Sequence, residues 1–388
     1  MTNAQLFGNS CRTNLPPQED QVSSQSKRVC ILVLGMHRSG TSALTRVLNI
    51  AGAKLPNCLI GAGVGNELGH WEPARLASYH DELLQELNSH WSDWRTIDWG
   101  TLPLSRRQQI KSDIVRHLED DYGDGELIVL KEPRICRFTP FFLEALDKAR
   151  YDVRIILPLR NPLEIADSLR TRGDLGPAET MHYHSSLLWL RHVLDAEIAT
   201  RDIPRAIISY DSLLSNWRET LAFLSRRLRV NWPNSPDEID TRVQEFLASE
   251  RRHHLYSTED LYLHENAFNW LTQTYETMLT LQHNPYSKNA LQTLDQIRRQ
   301  FNDLQPVLVG LLAEKQRTFE AAIEKLNNST LHDKTTISHY EDMLQSHRDE
   351  ITSLQRRVDR RKTWLRKVRR NLFKPMTHLL TKEGRRSD

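Results

Sequence analysis

Residues 29–42 have the sequence Val29-Cys-Ile-Leu-Val-Leu-Gly-Met-His-Arg-Ser-Gly-Thr-Ser42, in which an apolar run is followed by a turn with two glycines. The apolar run predicts a buried strand, and the residues near Ser42–Ala51 predict the helix that follows it. Gly35 and Gly40 let the backbone curl so that successive amide groups face one concavity, and the helix adds its positive end. The segment therefore predicts a loop that binds a phosphate or sulfate group.

The glycine spacing of this loop matches that of nucleotide-binding P-loops, G-x-x-x-x-G-K-[ST], but Thr41 stands where those loops have lysine. That lysine contacts the β- and γ-phosphates, so its absence argues against a nucleoside-triphosphate kinase or ATPase. A different cation, Arg38, lies inside the loop. We therefore expect the loop to bind a nucleotide that carries another anion. The alternative is an ordinary strand-to-helix turn without a ligand.

Short β-branched runs alternate with helical stretches from Arg28 onward. This alternation predicts a parallel sheet covered on both faces, with ligands at the carboxyl ends of its strands. The expected fold class is α/β, a P-loop-type three-layer α/β/α arrangement with a central parallel sheet, followed by a C-terminal helical or coiled-coil extension. The predicted strands are Val29–Leu34, Leu127–Leu130, Val153–Leu159 and Ala206–Ser209, and the further helices lie near Pro140–Arg150, Pro162–Arg172, Met181–Thr200 and Ser215–Leu228.

A second phosphate-binding motif follows the third predicted strand. Arg160 ends that strand, Pro162 begins a helix, Ser168 lies two turns along it, and Arg172 falls on the same helical face. Together the two motifs resemble sulfotransferases that use 3′-phosphoadenosine 5′-phosphosulfate (PAPS). In that family the first loop holds the 5′-phosphosulfate, and an arginine with a serine eight residues later holds the 3′-phosphate. Arginine at the position of Arg38 is typical of tyrosylprotein and many bacterial carbohydrate-directed members, whereas soluble small-molecule members carry lysine.

The resemblance covers approximately residues 28–255 and includes three further segments found in bacterial sulfotransferase-like proteins. These segments are Gly69-His-Trp-Glu72, Lys131-Glu-Pro-Arg134 and Tyr210-Asp-Ser-Leu-Leu214. The late Arg-Lys-Gly motif of the soluble members is missing, and Arg251-Arg252 is a weak substitute for it. The resemblance implies that PAPS is the co-substrate and that the residues binding it are Arg38, Ser39, Gly40, Thr41, Ser42, Arg160, Ser168, Arg172 and Tyr210.

An alcohol acceptor needs a general base. The resemblance to the tyrosylprotein branch implies Glu72 in this role, with Arg38 as the other catalytic residue. Glu67 and His70 are the alternatives for the base, and pairing of Glu72 with Arg75 would give it a purely structural role. We expect no metal, because the sequence has no cluster of His, Cys and carboxylates with ligand spacing.

Two groups of residues have roles that the sequence leaves open. Lys131 and Arg134 are expected to face either the donor or the acceptor. Four tryptophans are candidates either for sugar-binding platforms or for the core, namely Trp71, Trp91, Trp94 and Trp99.

The composition limits the class of protein. The chain has 388 residues and a hydrophobic fraction of 39%, enough for two or three units with buried cores. Its apolar run Cys30–Leu34 is too short to span a bilayer, and the polar segment Met1–Lys27 has no basic-then-apolar leader. The four cysteines lack zinc spacing, which indicates reduced thiols. We expect a cytoplasmic protein, with peripheral contact at the inner face of the membrane as an extension of that hypothesis.

Charge and heptad spacing divide the chain into modules. Arg356–Asp388 contains 13 Lys or Arg and 3 Asp or Glu, whereas residues 1–355 contain 39 basic and 47 acidic residues. Because the body is mildly acidic, a specific nucleic-acid function is not expected. The predicted modules are a disordered arm (1–27), the α/β domain (28–263), a helical connector (264–310), a coiled coil or long helix (311–372) and an overlapping basic segment (356–388). The basic segment has an apolar side that includes Trp364 and Leu365, which suggests an anionic membrane surface or a solvated helix end.

The coiled-coil prediction depends on apolar residues that repeat every seven positions. Interruptions at Thr330, Asp333, His347 and Arg361 make the repeat imperfect, so a helix folded back on the domain is the alternative to a homo-oligomer. The apolar residues at a are Ile323, Ile337, Leu344, Ile351, Val358, Leu365 and Leu372, and those at d are Phe319, Leu326, Tyr340, Leu354 and Val368.

The hypothesis from sequence is a sulfotransferase that moves a sulfuryl group from PAPS to a hydroxyl. A carbohydrate or glycolipid acceptor follows from the family resemblance alone. The alternatives are a P-loop nucleotide kinase and a catalytically silent coiled-coil scaffold.

Overall fold

Four parallel strands form the central sheet: β1 (Arg28–Val33), β2 (Leu127–Lys131), β3 (Tyr151–Leu159) and β4 (Arg205–Ser209). Their order across the sheet is β2-β1-β3-β4. The computed structural model describes residues 28–63, 66, 68–172, 181–249, 255–329 and 334–372. The predicted α/β class with a central parallel sheet is confirmed, and each predicted strand end lies within two residues of the observed one.

Helices account for most of the remaining described residues. A short 3₁₀ helix covers Trp99–Thr101. The α-helices are α1 (Thr41–Ile50), α2 (Ala74–Glu86), α3 (Leu104–Tyr122), α4 (Ile135–Lys148), α5 (Pro162–Arg172), α6 (Met181–Ala199), α7 (Tyr210–Ser215), α8 (Trp217–Leu228), α9 (Pro236–Ser249), α10 (Thr258–Leu263), α11 (Asn269–His283), α12 (Lys288–Ser329) and α13 (Lys334–Leu372).

Both faces of the sheet are buried. On one face, Ile31 and Val33 of β1 belong to a core cluster that includes residues of α1, α8 and α9. Successive side chains of a strand point to opposite faces, so Cys30 and Leu32 face the other side, and both are fully buried. Burial on both faces explains why β1 is continuously apolar.

The predicted start of α4 at Pro140 was wrong, because the helix already begins at Ile135. Proline lacks the N–H that would bond to the carbonyl of Cys136 four residues earlier. The hydroxyl of Thr139 donates to that carbonyl instead, at 3.1 Å, and also to the carbonyl of Ile135, at 2.8 Å. A proline in the second turn of this helix is therefore tolerated.

The chain divides into two compact units, with the boundary between Asp303 and Leu304. The first unit contains the sheet and also α11, which contacts β4 and buries Leu271 and Leu281. Residues 264–303 of the predicted connector (264–310) thus lie in the first unit. The second unit contains the rest of α12 and α13. The predicted arm at 1–27 and the end of the basic segment at 373–388 lie outside the described residues.

Candidate functional site

The loop after β1 turns tightly into α1. Gly40 has a φ of 81° and Arg38 a φ of 68°, both in the left-handed region. A Cβ on Gly40 would lie 2.3 Å from the ring of Tyr210, so only glycine fits where the ring packs. Left-handed residues in such a turn direct amide groups into one concavity next to the N-terminus of α1. The predicted anion-binding loop therefore has a backbone suited to that role.

The two predicted phosphate motifs lie next to each other. The Nε of Arg38 donates to the Oγ of Ser168 on α5 at 2.7 Å. The guanidinium of Arg160, at the end of β3, donates to the backbone oxygen of Arg38 at 2.9 Å. Because β1 and β3 are neighbours in the parallel sheet, their carboxyl ends bring together residues more than a hundred positions apart. One site can thus contain both arginines.

Arg160 is held on two further sides. Its Nε donates to the Oε2 of Glu164 at 2.8 Å, and both side chains are nearly or fully buried. Its guanidinium carbon lies 4.9 Å from the ring centre of Tyr210, which places the cation over the aromatic face. Tyr210 therefore contacts both motifs, packing against Gly40 and against Arg160.

The other predicted loop residues lie at the start of α1. Thr41 begins that helix and is buried, and Ser39, also buried, donates its N–H to the carbonyl of Met36 at 3.2 Å. The hydroxyl of Ser42 donates to the carbonyl of His70 at 3.3 Å, which connects the loop to the segment that carries Glu72.

Glu72 and Lys131 form a buried ion pair beside this loop. The Nζ of Lys131 lies 2.5 Å from the Oε1 of Glu72 and also donates to the carbonyl of His70 at 2.5 Å and to the Oγ of Ser42 at 3.2 Å. Burial raises the pKa of Glu72, although the charge of Lys131 opposes the rise. A carboxylate whose pKa is raised is a stronger base, so the arrangement suits proton abstraction. Glu72 pairs here with Lys131 and not with Arg75.

His70 is a weaker candidate for the base than Glu72. Burial, and then the charges of Lys131, Arg172 and Arg38, lower the pKa of His70 to about 4. The side-chain amide of Asn66 donates to its Nδ1 at 3.1 Å, so the neutral ring carries its proton on Nε2. Nδ1, the one ring nitrogen that could accept a proton, is thus already hydrogen-bonded to Asn66. Glu67, the third candidate, lies outside the described residues, as does the substitute motif Arg251-Arg252.

Arg172 completes the charge around the site. Its position at the end of α5 is close enough to His70 for its charge to lower the pKa of that ring. Arg38, Lys131 and Arg172 thus all influence one histidine. This concentration of positive charge favours an anionic ligand.

A buried network behind Lys131 was missed by the sequence analysis. Glu132 contacts the Nδ1 of His80 at 2.5 Å and the guanidinium of Arg134 at 2.5 Å. Arg134 also donates to both oxygens of Asp81 on α2. Although burial opposes it, His80 and Arg134 lower the pKa of Glu132 to about 2. The network fixes the backbone next to Lys131. The sequence feature that could have indicated these contacts is the charged segment Lys131-Glu-Pro-Arg134 at the end of β2.

The four tryptophans do not form one platform. Trp94 is buried and stacks on Phe301, so it belongs to the core, and the half-buried Trp99 packs against Phe138 and Phe141. The guanidinium of Arg46 lies over the ring of Trp71. The ring of Trp91 lies 4.9 Å from that of His37, which follows β1. Trp91 therefore contacts the anion-binding loop.

The described part of the chain has neither a metal-binding cluster nor a helix able to cross a membrane. No group of three or more His, Cys, Asp or Glu side chains is arranged there to hold a metal ion. None of the helices in these residues is both long enough and apolar enough to cross a membrane.

The comparisons with known proteins gave similarity to solved structures only. No protein-family model and no curated protein matches the chain. A sulfotransferase domain from the curacin biosynthetic pathway is 14% identical, with a TM-score of 0.37, over 65% of this chain and 98% of that one. A sulfotransferase domain from the Synechococcus PCC 7002 olefin synthase is 15% identical, with a TM-score of 0.33, over 67% of this chain and 96% of that one. Mouse sulfotransferase SULT7A1, complexed with PAP, is 14% identical, with a TM-score of 0.29, over 75% of this chain and 89% of that one.

Proposed function

We propose that the chain is a sulfotransferase that transfers a sulfuryl group from PAPS to a hydroxyl group. The observation that carries this proposal is the direct contact between the two anion motifs, Arg38 Nε to Ser168 Oγ at 2.7 Å and Arg160 to the Arg38 carbonyl at 2.9 Å. A donor with two separate anionic groups needs two adjacent cationic sites. A nucleoside triphosphate carries its charge in one chain of phosphates, and the loop has no lysine for it.

The positive charges and hydrogen-bond donors of the site suit the two anionic groups of PAPS. The loop around Gly40, Thr41 and Ser42 offers backbone amides and hydroxyls, and Arg38 adds a permanent charge; these groups would hold the 5′-phosphosulfate. Arg160 and Ser168 would hold the 3′-phosphate through charge-assisted hydrogen bonds, with Arg172 adding positive charge nearby. Tyr210 positions Arg160 by lying under its guanidinium.

Arg38 has the chemistry to assist the transfer itself. Sulfuryl transfer resembles phosphoryl transfer, in which charge develops on the equatorial and leaving oxygens. The leaving group is a phosphate, which needs no proton. A fixed guanidinium can therefore stabilise the developing charge without donating a proton.

Glu72 would act as the general base. The carboxylate takes the proton of the acceptor hydroxyl, and burial raises its affinity for that proton. Lys131 orients the carboxylate and opposes its protonation before the acceptor binds. Its further bond to the Ser42 hydroxyl connects the base to the loop, so the nucleophile and the sulfuryl group would be positioned by one set of contacts.

The acceptor class that we propose is a carbohydrate or glycolipid. This part of the proposal is based on the likeness of the loop to carbohydrate-directed and tyrosylprotein sulfotransferases. Trp91, half-buried beside His37, offers an aromatic surface of the kind that packs on sugar rings.

Donor binding provides the test. Purified full-length protein is titrated calorimetrically with adenosine 3′,5′-bisphosphate (PAP) and, separately, with ATP. The proposal expects PAP to bind at least about tenfold more tightly, because ATP has no 3′-phosphate for Arg160 and Ser168. Tighter binding of ATP would favour the P-loop kinase, and binding of neither nucleotide would favour the silent scaffold.

A further inference from the structure

The helix α13 presents an exposed apolar stripe. Seven of its apolar residues are between 44% and 60% exposed. With Ile351 at heptad position a, the stripe comprises Leu344, Ile351, Val358 and Leu365 at a and Leu354 at d, with Met343 and Trp364 beside them at g. An amphipathic helix normally packs its apolar side against another element. The stripe is thus a surface suited to a partner helix.

The charges of α13 are divided between its two halves. The half before Leu354 is net acidic, with four acidic residues (Glu341, Asp342, Asp349 and Glu350) and two basic ones (Lys334 and Arg348). The half after it is strongly basic, with Asp359 as its one acidic residue and nine basic ones: Arg356, Arg357, Arg360, Arg361, Lys362, Arg366, Lys367, Arg369 and Arg370. In a parallel pair, Arg361 at the core position d would face the second copy's Arg361, and Arg357 at g would lie beside the second copy's Lys362 at e. Both contacts would bring like charges together. Two antiparallel copies would place each acidic half against a basic half.

We propose that α13 binds α13 of a second copy of this chain as an antiparallel two-stranded coiled coil. The register places Ile351 in one layer with the second copy's Leu354, which aligns Glu350 at g with the second copy's Arg357 at g. In the same register Met343 lies beside the second copy's Trp364. Each contact occurs twice, because the two-fold axis repeats it.

Charge selects this register over its neighbours. A shift of one heptad in one direction would place Arg357 against the second copy's Arg357, a contact between two positive charges. A shift of one heptad in the other direction would place Glu350 against the second copy's Glu350, a contact between two negative charges. The Glu350 carboxylate lies 3.7 Å from His347 within its own helix and is mostly exposed, so it can reach across to a second helix. Only the proposed register pairs opposite charges at both g positions.

A charge-reversal series on the full-length protein tests the arrangement by sedimentation equilibrium. Arg357→Glu would place Glu350 against a second carboxylate at both symmetry-related positions, so we expect the dimer dissociation constant to rise about tenfold. The double variant Glu350→Arg with Arg357→Glu restores opposite charges and should return within about twofold of wild type. Arg356→Glu makes the same change in net charge at an outward position and is the matched control.

The outcomes separate the alternatives. A parallel dimer would be strengthened by Arg357→Glu, because the new carboxylate would face Lys362, and this result would overturn the proposal. A monomeric wild type at concentrations of tens of micromolar would also overturn it. Monomeric protein that binds vesicles of anionic phospholipid would assign the basic half to a membrane instead. PAP affinity, measured in parallel, checks that the first unit of each variant is intact.

Cysteine cross-linking tests the orientation independently. In the proposed register Leu344 lies next to the second copy's Arg361, whereas the two copies of Leu344 are about 26 Å apart, from 17 residues at 1.5 Å each. A mixture of the single variants Leu344→Cys and Arg361→Cys should form a mixed disulfide that neither variant forms alone. Wild type, which keeps its own cysteines, is the background control. A disulfide formed by Leu344→Cys alone would show a parallel pair and overturn the proposal.

Discussion

Replacing Arg160 by alanine tests the donor site. The change removes the guanidinium that we assign to the 3′-phosphate of PAPS. Hydrogen bonds to charged groups contribute about 1.5–3 kcal/mol, so we expect the dissociation constant for PAP to rise about tenfold to 150-fold. Adenosine 5′-phosphosulfate lacks the 3′-phosphate, so wild type and Arg160→Ala should bind it about equally. Isothermal titration with the two ligands measures both effects.

The same substitution affects the stability of the fold. Arg160 is 9% exposed and Glu164 is fully buried, and they lie 2.8 Å apart. Removing one partner of a buried ion pair costs about 3–5 kcal/mol, because the remaining charge stays desolvated. Urea unfolding of Arg160→Ala should therefore show a lower midpoint. We therefore expect this one substitution both to weaken PAP binding and to lower the stability of the protein.

The double variant Arg160→Ala with Glu164→Gln separates these effects. Glutamine at position 164 carries no charge, so no unpaired buried carboxylate remains. Its side-chain oxygen can still accept the hydrogen bond that the N–H of Tyr256 donates to Glu164 at 3.2 Å. We expect most of the lost stability to return and PAP affinity to stay low. The assignment of Arg160 is refuted if PAP and adenosine 5′-phosphosulfate are weakened alike, or if the double variant recovers wild-type PAP affinity.

Three further predictions concern the base and the loop. Glu72→Gln should lower kcat by about 10²–10⁴-fold and leave PAP affinity unchanged. In wild type, kcat/KM should fall as the pH drops through a pKa above the usual glutamate range. A fall near pH 4 that disappears in His70→Gln would transfer the role of base to His70. Lys131→Met removes the charge that opposes protonation of Glu72, so the acidic limb of the pH profile should move to higher pH, and an unmoved limb would contradict the pairing. Gly40→Ala should lower the free energy of unfolding in urea by about 2–5 kcal/mol, because alanine in a left-handed backbone costs about 1–2 kcal/mol and its Cβ also meets the ring of Tyr210; a loss no larger than the backbone cost alone would contradict the packing argument.

The strands were predictable because the sheet is buried on both faces. A strand of this kind is apolar along its whole length, as in β1, and is bounded by polar residues. The anion motifs were predictable for a related reason. Their residues are contiguous in sequence, and each follows a strand whose carboxyl end lies at the same edge of the sheet.

The contacts within the site depend on tertiary packing and could not be predicted in the same way. Lys131 was recognised only as a residue after a strand, yet it contacts Glu72, which lies 59 positions earlier. The contact between His80 and Glu132 spans 52 positions and depends on α2, a helix that the sequence analysis did not identify. Nothing in local spacing specifies which of several carboxylates an ammonium group will reach.

The position of β1 in the middle of the sheet has a consequence for synthesis. Among the four strands of the described sheet, β1 is synthesised first, but its two neighbours begin at Leu127 and Tyr151. At about 5–20 residues per second, the first neighbour follows after roughly 5–20 s. During that interval both edges of β1 lack their neighbouring strands, and unpaired strand edges can associate with other chains. The segment that supports the donor loop is thus also a segment that can associate with other chains during synthesis.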